Sequence, residues 1–427
     1  MKTRNKRILL FIGLFSLLLF TIFIIISNRP LPGSGLPPAT VENSSITAGV
    51  GVSMVITEDG SLWTWGSNCC GQLGDGTTTN HQYPVSIMED VVAVSSSNGS
   101  ISFARPGRTT VFAESNSHTL AITSDGTLWG WGVDLQTHPH SAFRNLHRPG
   151  RIVDSVIAGI IGVEAGNDAF VRNLQEPEEI MYNVVAASAG GGHAMAITSD
   201  GTLWGWGENT EGQVGDGTRS YRVRPVEIME DVVAVSAGGT HTMAVTSDGT
   251  LWGWGWNGVG QVGDGTTENR SSPVEIMDDV IAVSAAGSRT VAITSDGTLW
   301  IWGGNIIGQL GDGTTDNRHY PVSIMEDVVA VAASGTSTMA ITYDGTLWGW
   351  GRNTYGQLGD GTTENRNYPV RITDDVVSVS VSGRHTLAVT SDGTLWAWGN
   401  NSYGQLGDGT AIDRHYPIRI MEDVRFP

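Results

Sequence analysis

The motif Trp-x-Trp-Gly recurs seven times in this chain, and its last five copies follow one another at a constant step of 48 residues. A fixed period of about 40 to 50 residues indicates one repeating supersecondary unit, in which each copy buries the apolar face of its neighbour. Residues common to all copies should therefore hold a scaffold together, which nearly excludes a single catalytic centre built from them. The first tryptophans of the seven copies, which we predict to be structural, are Trp63, Trp129, Trp204, Trp252, Trp300, Trp348 and Trp396.

One clean copy, residues 231–277, predicts four short strands. β-Branched residues dominate 232–235 and 242–246, an Asp-Gly hairpin signal leads into the Trp-x-Trp-Gly strand 251–255, and a proline opens the strand 273–277. Four antiparallel strands per repeat are typical of a propeller blade. We therefore predict an all-β fold, a seven-bladed β-propeller of four-stranded antiparallel blades, preceded by one N-terminal transmembrane helix.

The repeated pattern Gly-x-x-His-Thr-x-Ala-Val-Thr-x-Asp-Gly-x-Leu-Trp-x-Trp-Gly-x-Asn-x-x-Gly-Gln-Leu-Gly resembles the regulator of chromosome condensation repeat. The resemblance runs from Ser44 to the C-terminus, strongly from Ala187 onward and weakly between Ser96 and Tyr182. It implies a seven-bladed propeller with a narrow axial channel, here in a bacterial-type exported member. It says little about activity, because that family includes nucleotide exchange factors, accessory domains of ligases and kinases, and secreted bacterial inhibitors.

The propeller is expected to span residues 41–427, with an irregular part at 96–182. The segment 423–426 has the same phase as 231–234, so we expect the C-terminus to complete the sheet begun at the N-terminus. The first three Trp-x-Trp-Gly motifs are 66 and 75 residues apart, and the combined excess is close to one repeat. An eighth, degenerate blade therefore remains an alternative.

The N-terminus predicts a membrane anchor. A basic tail at 1–7, which should remain cytoplasmic, precedes the uncharged apolar run 8–26, which as a helix is about 28 Å long and matches a bilayer. Residues 27–40 are a Pro/Gly-rich linker. We expect a single-pass protein of the cell membrane with an extracytoplasmic propeller, and a cleaved signal peptide is the alternative.

The charge balance limits the partners. All 43 acidic residues follow Arg29, against 19 arginines and no lysine, so that part of the chain has a formal charge of −24. Such a surface repels nucleic acid and anionic headgroups, so we expect no nucleic-acid partner and no membrane contact beyond the anchor. The adjacent Cys69 and Cys70 fit a vicinal disulfide or free thiols equally well.

The repeated polar residues predict structure rather than catalysis. Histidines of the Gly-x-x-His position are replaced by Val52, Arg289 and Ser337 in other copies, which a metal ring or proton relay would not tolerate. The aspartates of Gly-Asp-Gly-Thr occur once per repeat, which suits turns better than calcium ligation. No nucleophile elbow or phosphate-binding loop is present. We predict no enzyme activity, no cofactor and no metal site.

Candidate contact residues lie where the repeat is broken. The second copy lacks the Gly-Gln-Leu-Gly-Asp-Gly loop and has a basic, histidine-bearing segment instead, while one tryptophan stands outside the motif in a loop. Decay of the repeat without function is the alternative. The arginines that precede the proline strand are expected to clamp loops. The predicted contacts are His138, His140, Arg144, His147, Arg148, Arg151 and Trp256.

The sequence thus favours a membrane-anchored extracytoplasmic scaffold for non-covalent recognition of a protein or cell-surface ligand of unknown identity, and we expect it to be a monomer. Two alternatives come from other classes. One is a regulator that acts like a guanine-nucleotide exchange factor, which export and acidity oppose. The other is a structural surface spacer without a specific ligand, for which substitution of the basic segment would have no effect.

Overall fold

In the computed structural model of the chain, the described residues are 45–49, 51–69, 71–96, 117–123, 128–133, 146–151 and 184–424. These residues form 28 strands in seven four-stranded antiparallel sheets, each built from four consecutive strands. The all-β class and the four-stranded unit agree with the prediction. The alternative of a degenerate eighth blade concerns the irregular part 96–182, much of which lies outside the described residues, as does the anchor 8–26. Within the described residues, no helix has the length and apolarity that a bilayer span requires.

The strands of the first three sheets have the following bounds. The first sheet contains β1 Ile46–Ala48, β2 Val52–Ile56, β3 Leu62–Gly66 and β4 His81–Met88. The second contains β5 Val91–Ser96, β6 Ser117–Thr123, β7 Leu128–Val133 and β8 Leu146–Arg151. The third contains β9 Val184–Ala189, β10 His193–Thr198, β11 Leu203–Gly207 and β12 Arg222–Met229.

The remaining four sheets repeat at the 48-residue step of the sequence. The fourth contains β13 Val232–Ala237, β14 His241–Thr246, β15 Leu251–Gly255 and β16 Arg270–Met277. The fifth contains β17 Val280–Ala286, β18 Arg289–Thr294, β19 Leu299–Gly303 and β20 Arg318–Met325. The sixth contains β21 Val328–Ala333, β22 Ser337–Thr342, β23 Leu347–Gly351 and β24 Arg366–Thr373, and the seventh β25 Val376–Val381, β26 His385–Thr390, β27 Leu395–Gly399 and β28 Arg414–Met421.

The predicted fourth strand of the repeat was placed too late. It begins at Arg270 rather than Pro273, so the proline lies inside β16. That strand is the outermost of its sheet and pairs on one side only. The missing amide hydrogen of Pro273 therefore costs no ladder bond, which is why an outer strand tolerates it.

The sheets stand radially around an axis, because their first strands contact one another: β13 contacts both β9 and β17, and β21 contacts β25. Turns after the first strand and long loops after the third strand share one face. We call it the loop face; in the fourth sheet it comprises residues 238–240 and 256–269. Hairpins after the second strand and links between sheets share the opposite face. We call it the link face; in the fourth sheet it comprises residues 247–249 and 278–279.

The second tryptophan of each motif fills the space between neighbouring sheets. Trp254 is fully buried against Met195 and Leu203 of the third sheet and Val235 of its own. The glycine that follows it, Gly255, has φ +101, and a Cβ there would lie 2.6 Å from a backbone oxygen. Only glycine fits both constraints, which explains the last residue of Trp-x-Trp-Gly.

The first sheet contains both ends of the described chain. Val424 forms an antiparallel bridge with Thr57, in the place where Val232 pairs with Thr246 in the fourth sheet. Its side chain is completely buried in a cluster that also contains Ile46 of β1. The two ends together build one innermost strand, so the ring closes as the phase of the sequence predicts.

Candidate functional site

The aspartate of each Gly-Asp-Gly-Thr loop is hydrogen-bonded to other residues of its own loop. In the fourth sheet Asp264 Oδ1 accepts from Asn257 Nδ2 at 3.0 Å and from the Thr266 amide at 3.0 Å, while Oδ2 accepts from Arg270 Nε at 2.5 Å. Burial opposes ionisation, but the bonds from Thr266 and Arg270 prevail and lower the pKa of Asp264. The arginine is thus a loop clamp. Equivalent aspartates are Asp75, Asp216, Asp312, Asp360 and Asp408.

Neither of the two Asp264 oxygens remains for a metal. Among the described residues no group of three or more His, Cys, Asp or Glu side chains is placed to hold one. In the first sheet His81 takes the place of the arginine, with Nε2 at 2.6 Å from Asp75 Oδ2. The arrangement therefore supplies rigidity to the loops.

The histidines of the Gly-x-x-His position join one sheet to the next. His193 Nε2 lies 2.8 Å from Thr242 Oγ1, His241 Nε2 lies 3.1 Å from Thr290 Oγ1, and His385 Nε2 lies 2.9 Å from Ser53 Oγ. Burial lowers the pKa of His193 to about 3, and that of His241 and His385 to about 4. All three are neutral ties between blades, and the hydroxyl bonds are joined by a backbone hydrogen bond with Arg289 at His241 and with Val52 at His385.

In the fifth sheet the same position holds a buried cation. Arg289 is 1% exposed and donates to Thr338 Oγ1 at 2.6 Å, to the Ser334 and Ser337 carbonyls at 2.5 Å each, and to the Gln309 carbonyl. Burial lowers its pKa to about 9, and no carboxylate of the described part of the chain is among the causes. Arg289 therefore remains charged at neutral pH without a counter-ion.

Arg289 takes the place of a tryptophan indole as the donor to a backbone carbonyl, a hydrogen bond that other sheets make. Trp254 Nε1 donates to the Gln213 carbonyl of the preceding sheet at 3.0 Å, and the equivalent indoles of the first, fifth and seventh sheets do the same. At the sixth sheet the equivalent Gln309 carbonyl already accepts from Arg289, and Trp350 Nε1 is buried without a partner. Arg289 and Trp350 compete for one acceptor.

The hairpin aspartate and the first tryptophan of the motif also have local roles. Asp248 Oδ1 accepts from Thr246 Oγ1 at 2.7 Å and from the Thr250 amide at 3.1 Å, and these bonds lower the pKa of its carboxyl. Trp252 is half-buried and donates Nε1 to Thr246 Oγ1 at 3.3 Å. It packs between sheets less deeply than Trp254, so the two tryptophans of one motif differ in burial.

The loop face presents side chains that these networks do not use. Trp256 is half-buried and lies over Gly258, and Ile306 in the next sheet is 80% exposed. In the sheets beyond, the Arg384 guanidinium lies 5.8 Å from the Tyr355 ring centroid. Trp256, Ile306 and Tyr355 thus lie on the loop face in three consecutive blades, and Arg384 of the next blade contacts the last of them.

Of the seven predicted contact residues, the structure describes the side chain of Trp256. His147, Arg148 and Arg151 lie in β8, the outermost strand of the second sheet, and only their backbone is described. His138, His140 and Arg144 fall outside the described residues, as does Cys70, while Cys69 is exposed on the loop face. The prediction that the basic residues form a contact surface remains a prediction.

Comparison with known proteins gives the family. The model of the RCC1-like domain matches residues 155–426, and models of the regulator of chromosome condensation (RCC1) repeat match residues 59–103 and 44–72. The chain belongs to the RCC1-like family.

Solved RCC1-like structures share this fold. Human WBSCR16 superposes with a TM-score of 0.63 at 23% identity, over 84% of this chain and 94% of that one. Yeast RCC1 (Prp20), solved bound to Kap60, superposes with a TM-score of 0.65 at 17% identity, over 90% and 89%. At these identities the likeness concerns the propeller fold.

Curated relatives match over part of their length. Human E3 ubiquitin-protein ligase HERC2 is 30% identical over 216 residues, which cover 43% of this chain and 4% of the relative. The Arabidopsis thaliana ultraviolet-B receptor UVR8 is 30% identical over 226 residues, 46% of this chain and 48% of the relative. The matched part spans less than half of each relative, so their activities belong to proteins of which this RCC1-like region is one part.

The sequence reasoning missed two residues of the loop face. Ile306 and Tyr355 both lie inside regular repeats, whereas the sequence prediction rests on the irregular segment and on Trp256. A signal was available: Ile306 stands where other repeats have Gly258, Thr354 or Ser402. A large aliphatic residue at a position filled elsewhere by small or polar residues is not required by the fold.

Proposed function

We propose that this RCC1-like propeller is a non-catalytic, protein-binding module, tethered by residues 8–26 to a cell membrane with the propeller on the extracytoplasmic side, and that its loop face contacts the partner. Support comes from a contrast among the described residues between repeated residues that hold the blades together and unrepeated residues on the loop face. Asp264, His241 and Trp254 exemplify repeated groups that are committed to bonds within or between blades, whereas the half-buried Trp256 and the exposed Ile306 are not repeated.

A preformed loop face suits protein recognition. Loops held by ties such as Asp264–Arg270 lose little conformational freedom on association, which lowers the cost of ordering. Aromatic residues and arginine are enriched where protein interfaces carry most of their energy, and Trp256, Tyr355 and Arg384 are of these types. The basic segment with His138 and Arg144 is proposed to extend the same contact.

Site-specific photo-crosslinking in cells tests the contact. A photoreactive residue is placed at Trp256 or Ile306 in the full-length chain, with Val223, 61% exposed on the outermost strand β12, as a matched control. We expect a discrete protein adduct from positions 256 and 306 and none from 223. Equal labelling at all three positions, or none at 256 and 306, would contradict the proposal.

A reporter fused to the C-terminus tests the tether. Activity of an extracytoplasmic reporter and silence of a cytosolic one are expected if residues 8–26 span the membrane with residues 1–7 inside. The opposite result would remove the extracytoplasmic role and favour the alternative of an intracellular regulator that acts like a nucleotide exchange factor.

A further inference from the structure

The first strand of the fourth to seventh sheets has one extra residue near the link face. In the fourth sheet Val232 pairs with Thr246 and Ala234 with Val245, so Val233 between them has no partner. A bulge of this kind turns one side chain away from the regular alternation. Val233 is 60% exposed as a result.

The same bulge recurs in the next three sheets. The unpaired residues there are Ile281, Val329 and Val377. Ile281 is 38% and Val377 39% exposed, and Val329 is half-buried. We call these three residues and Val233 the aliphatic collar. Single exposed aliphatic side chains are ordinary, but here the same bulged position carries an aliphatic residue in four consecutive blades, and groups of exposed apolar residues mark interaction sites.

Of the four collar residues, Val329 packs against a buried cluster, whereas Val233, Ile281 and Val377 belong to none of the buried clusters of the described residues. The neighbours Val232 and Val280 are 2% exposed and fill the core, whereas the bulge directs the following residue towards solvent. A polar side chain would satisfy a solvated bulge equally well. The repeated choice of Val or Ile therefore points to an apolar contact made by something outside the blades.

Exposed carboxylates surround the collar on the link face. Each described link between sheets carries two acidic residues, and each described hairpin carries an aspartate whose pKa is lowered by hydrogen bonds like those of Asp248. The link residues are Glu89, Asp90, Glu230, Asp231, Asp278, Asp279, Glu326, Asp327, Asp374, Asp375, Glu422 and Asp423. The hairpin residues are Asp59, Asp200, Asp248, Asp296, Asp344 and Asp392.

The negative charge is one-sided. Where side chains are described, the cations towards the link face are Arg371 and Arg419, and each is already paired with an acidic neighbour, Asp374 or Glu422. On the loop face, by contrast, carboxylates such as Asp264 are neutralised by clamping arginines. The disc is therefore polarised, with most of its uncompensated charge around the collar.

The chemistry of the occupant follows from these two features. A metal ion is disfavoured, because the described carboxylates do not converge in groups of three or more. Nucleic acid and an anionic lipid surface would be repelled. We infer that the link face binds a basic protein segment in which lysines or arginines flank an aliphatic side chain, with that side chain seated on the aliphatic collar.

Two synthetic peptides test this pairing. One has a single leucine between two runs of lysine, and the other has asparagine in place of that leucine. Their affinities for the full-length chain in a non-ionic detergent are measured by fluorescence anisotropy at physiological salt. Burial of one leucine predicts about tenfold tighter binding of the first peptide.

Variants locate the contact. V233N/I281N should reduce the leucine advantage to less than about twofold, whereas V223N, at a residue 61% exposed on the outermost strand β12, should preserve it. Equal affinity of the two peptides for the wild-type chain, or an unchanged advantage in V233N/I281N, would overturn the inference. Trp256→Ser on the loop face should leave peptide binding unchanged, so this result is independent of the proposed loop-face contact.

Discussion

Replacing Arg289 with histidine should stabilise the propeller. Burial brings the pKa of Arg289 from 12.5 to about 9, which corresponds to about 5 kcal/mol against the charged form. A histidine at this position is expected to bond Thr338 as His241 bonds Thr290, and it would return the Gln309 carbonyl to the unpartnered Trp350 indole.

The magnitude depends on which acceptors remain satisfied. The Ser337 carbonyl still accepts from the Ser334 amide at 2.9 Å, so the Ser334 carbonyl is the acceptor left without Arg289, at a cost of about 1–3 kcal/mol. The bond regained by Trp350 contributes about 1 kcal/mol. With some loss of packing from the smaller ring, we expect R289H to be more stable by about 2 kcal/mol.

The reciprocal substitution provides the matched control. H241R puts a cation into a site that is built for a neutral ring, where it would compete with Trp302 for the Gln261 carbonyl. It should destabilise the protein by about 3–5 kcal/mol. Urea unfolding of the full-length chain in a non-ionic detergent measures both variants, with tryptophan fluorescence as the signal.

The pH dependence of stability tests whether the buried charge of Arg289 is destabilising. Because the folded-state pKa of Arg289 lies below the unfolded value, the wild-type protein gains stability as the pH rises through about 9. The advantage of R289H should therefore shrink between pH 8 and about 10. A less stable R289H, or an H241R indistinguishable from wild type, would show that the carbonyl bonds of the buried guanidinium outweigh its desolvation, and the reasoning would be refuted.

Three further predictions concern the ring. The pKa of His385 is about 4 in the folded state against 6.5 for the free side chain. The neutral ring therefore contributes its full stabilisation above pH 6.5, and this contribution falls as the pH drops towards 4, by about 2 kcal/mol at pH 5. H385Q should flatten this part of a stability–pH curve, and an unchanged slope would argue against this role of His385. Val424→Asp should cost at least about 3 kcal/mol by putting a charge into the closing cluster, and an unaltered melting temperature would contradict closure. Gly255→Ala should lower the free energy of unfolding by more than about 2 kcal/mol. Gly265→Ala, with φ +81 but nothing within 4 Å of the new Cβ, should lower it by about 1 kcal/mol. Equal losses of stability in the two variants would count against the steric explanation.

Much of the fold was accessible from the sequence, because each strand of the repeat carries a local signal. β-Branched runs, the Asp-Gly hairpin and the constant period gave the strand order, and the phase of 423–426 gave the closure. The start of β16 was misjudged, since Pro273 looks like a strand boundary until the strand is known to lie at an edge. Edge position is a property of the assembled sheet.

The site was less accessible, for a related reason. Arg289 looks like one more substitution in a variable position, and its competition with Trp350 arises only when two sheets pack around one carbonyl. The exposure of Val233 depends on a bulge, which shifts the alternation of buried and exposed side chains by one residue. Sequence patterns describe neighbours along the chain, whereas these features arise between neighbours in space.

The shared innermost strand of the first sheet has a consequence for how the protein is made. Val424 follows the last strand of the seventh sheet, yet it completes the sheet to which Ile46 belongs, so all seven blades must already be synthesised before the disc can become circular. Until that moment β2 offers an incomplete edge. If the chain is exported, its passage through the membrane can finish while the ring is still open, and the final closure would then take place on the far side.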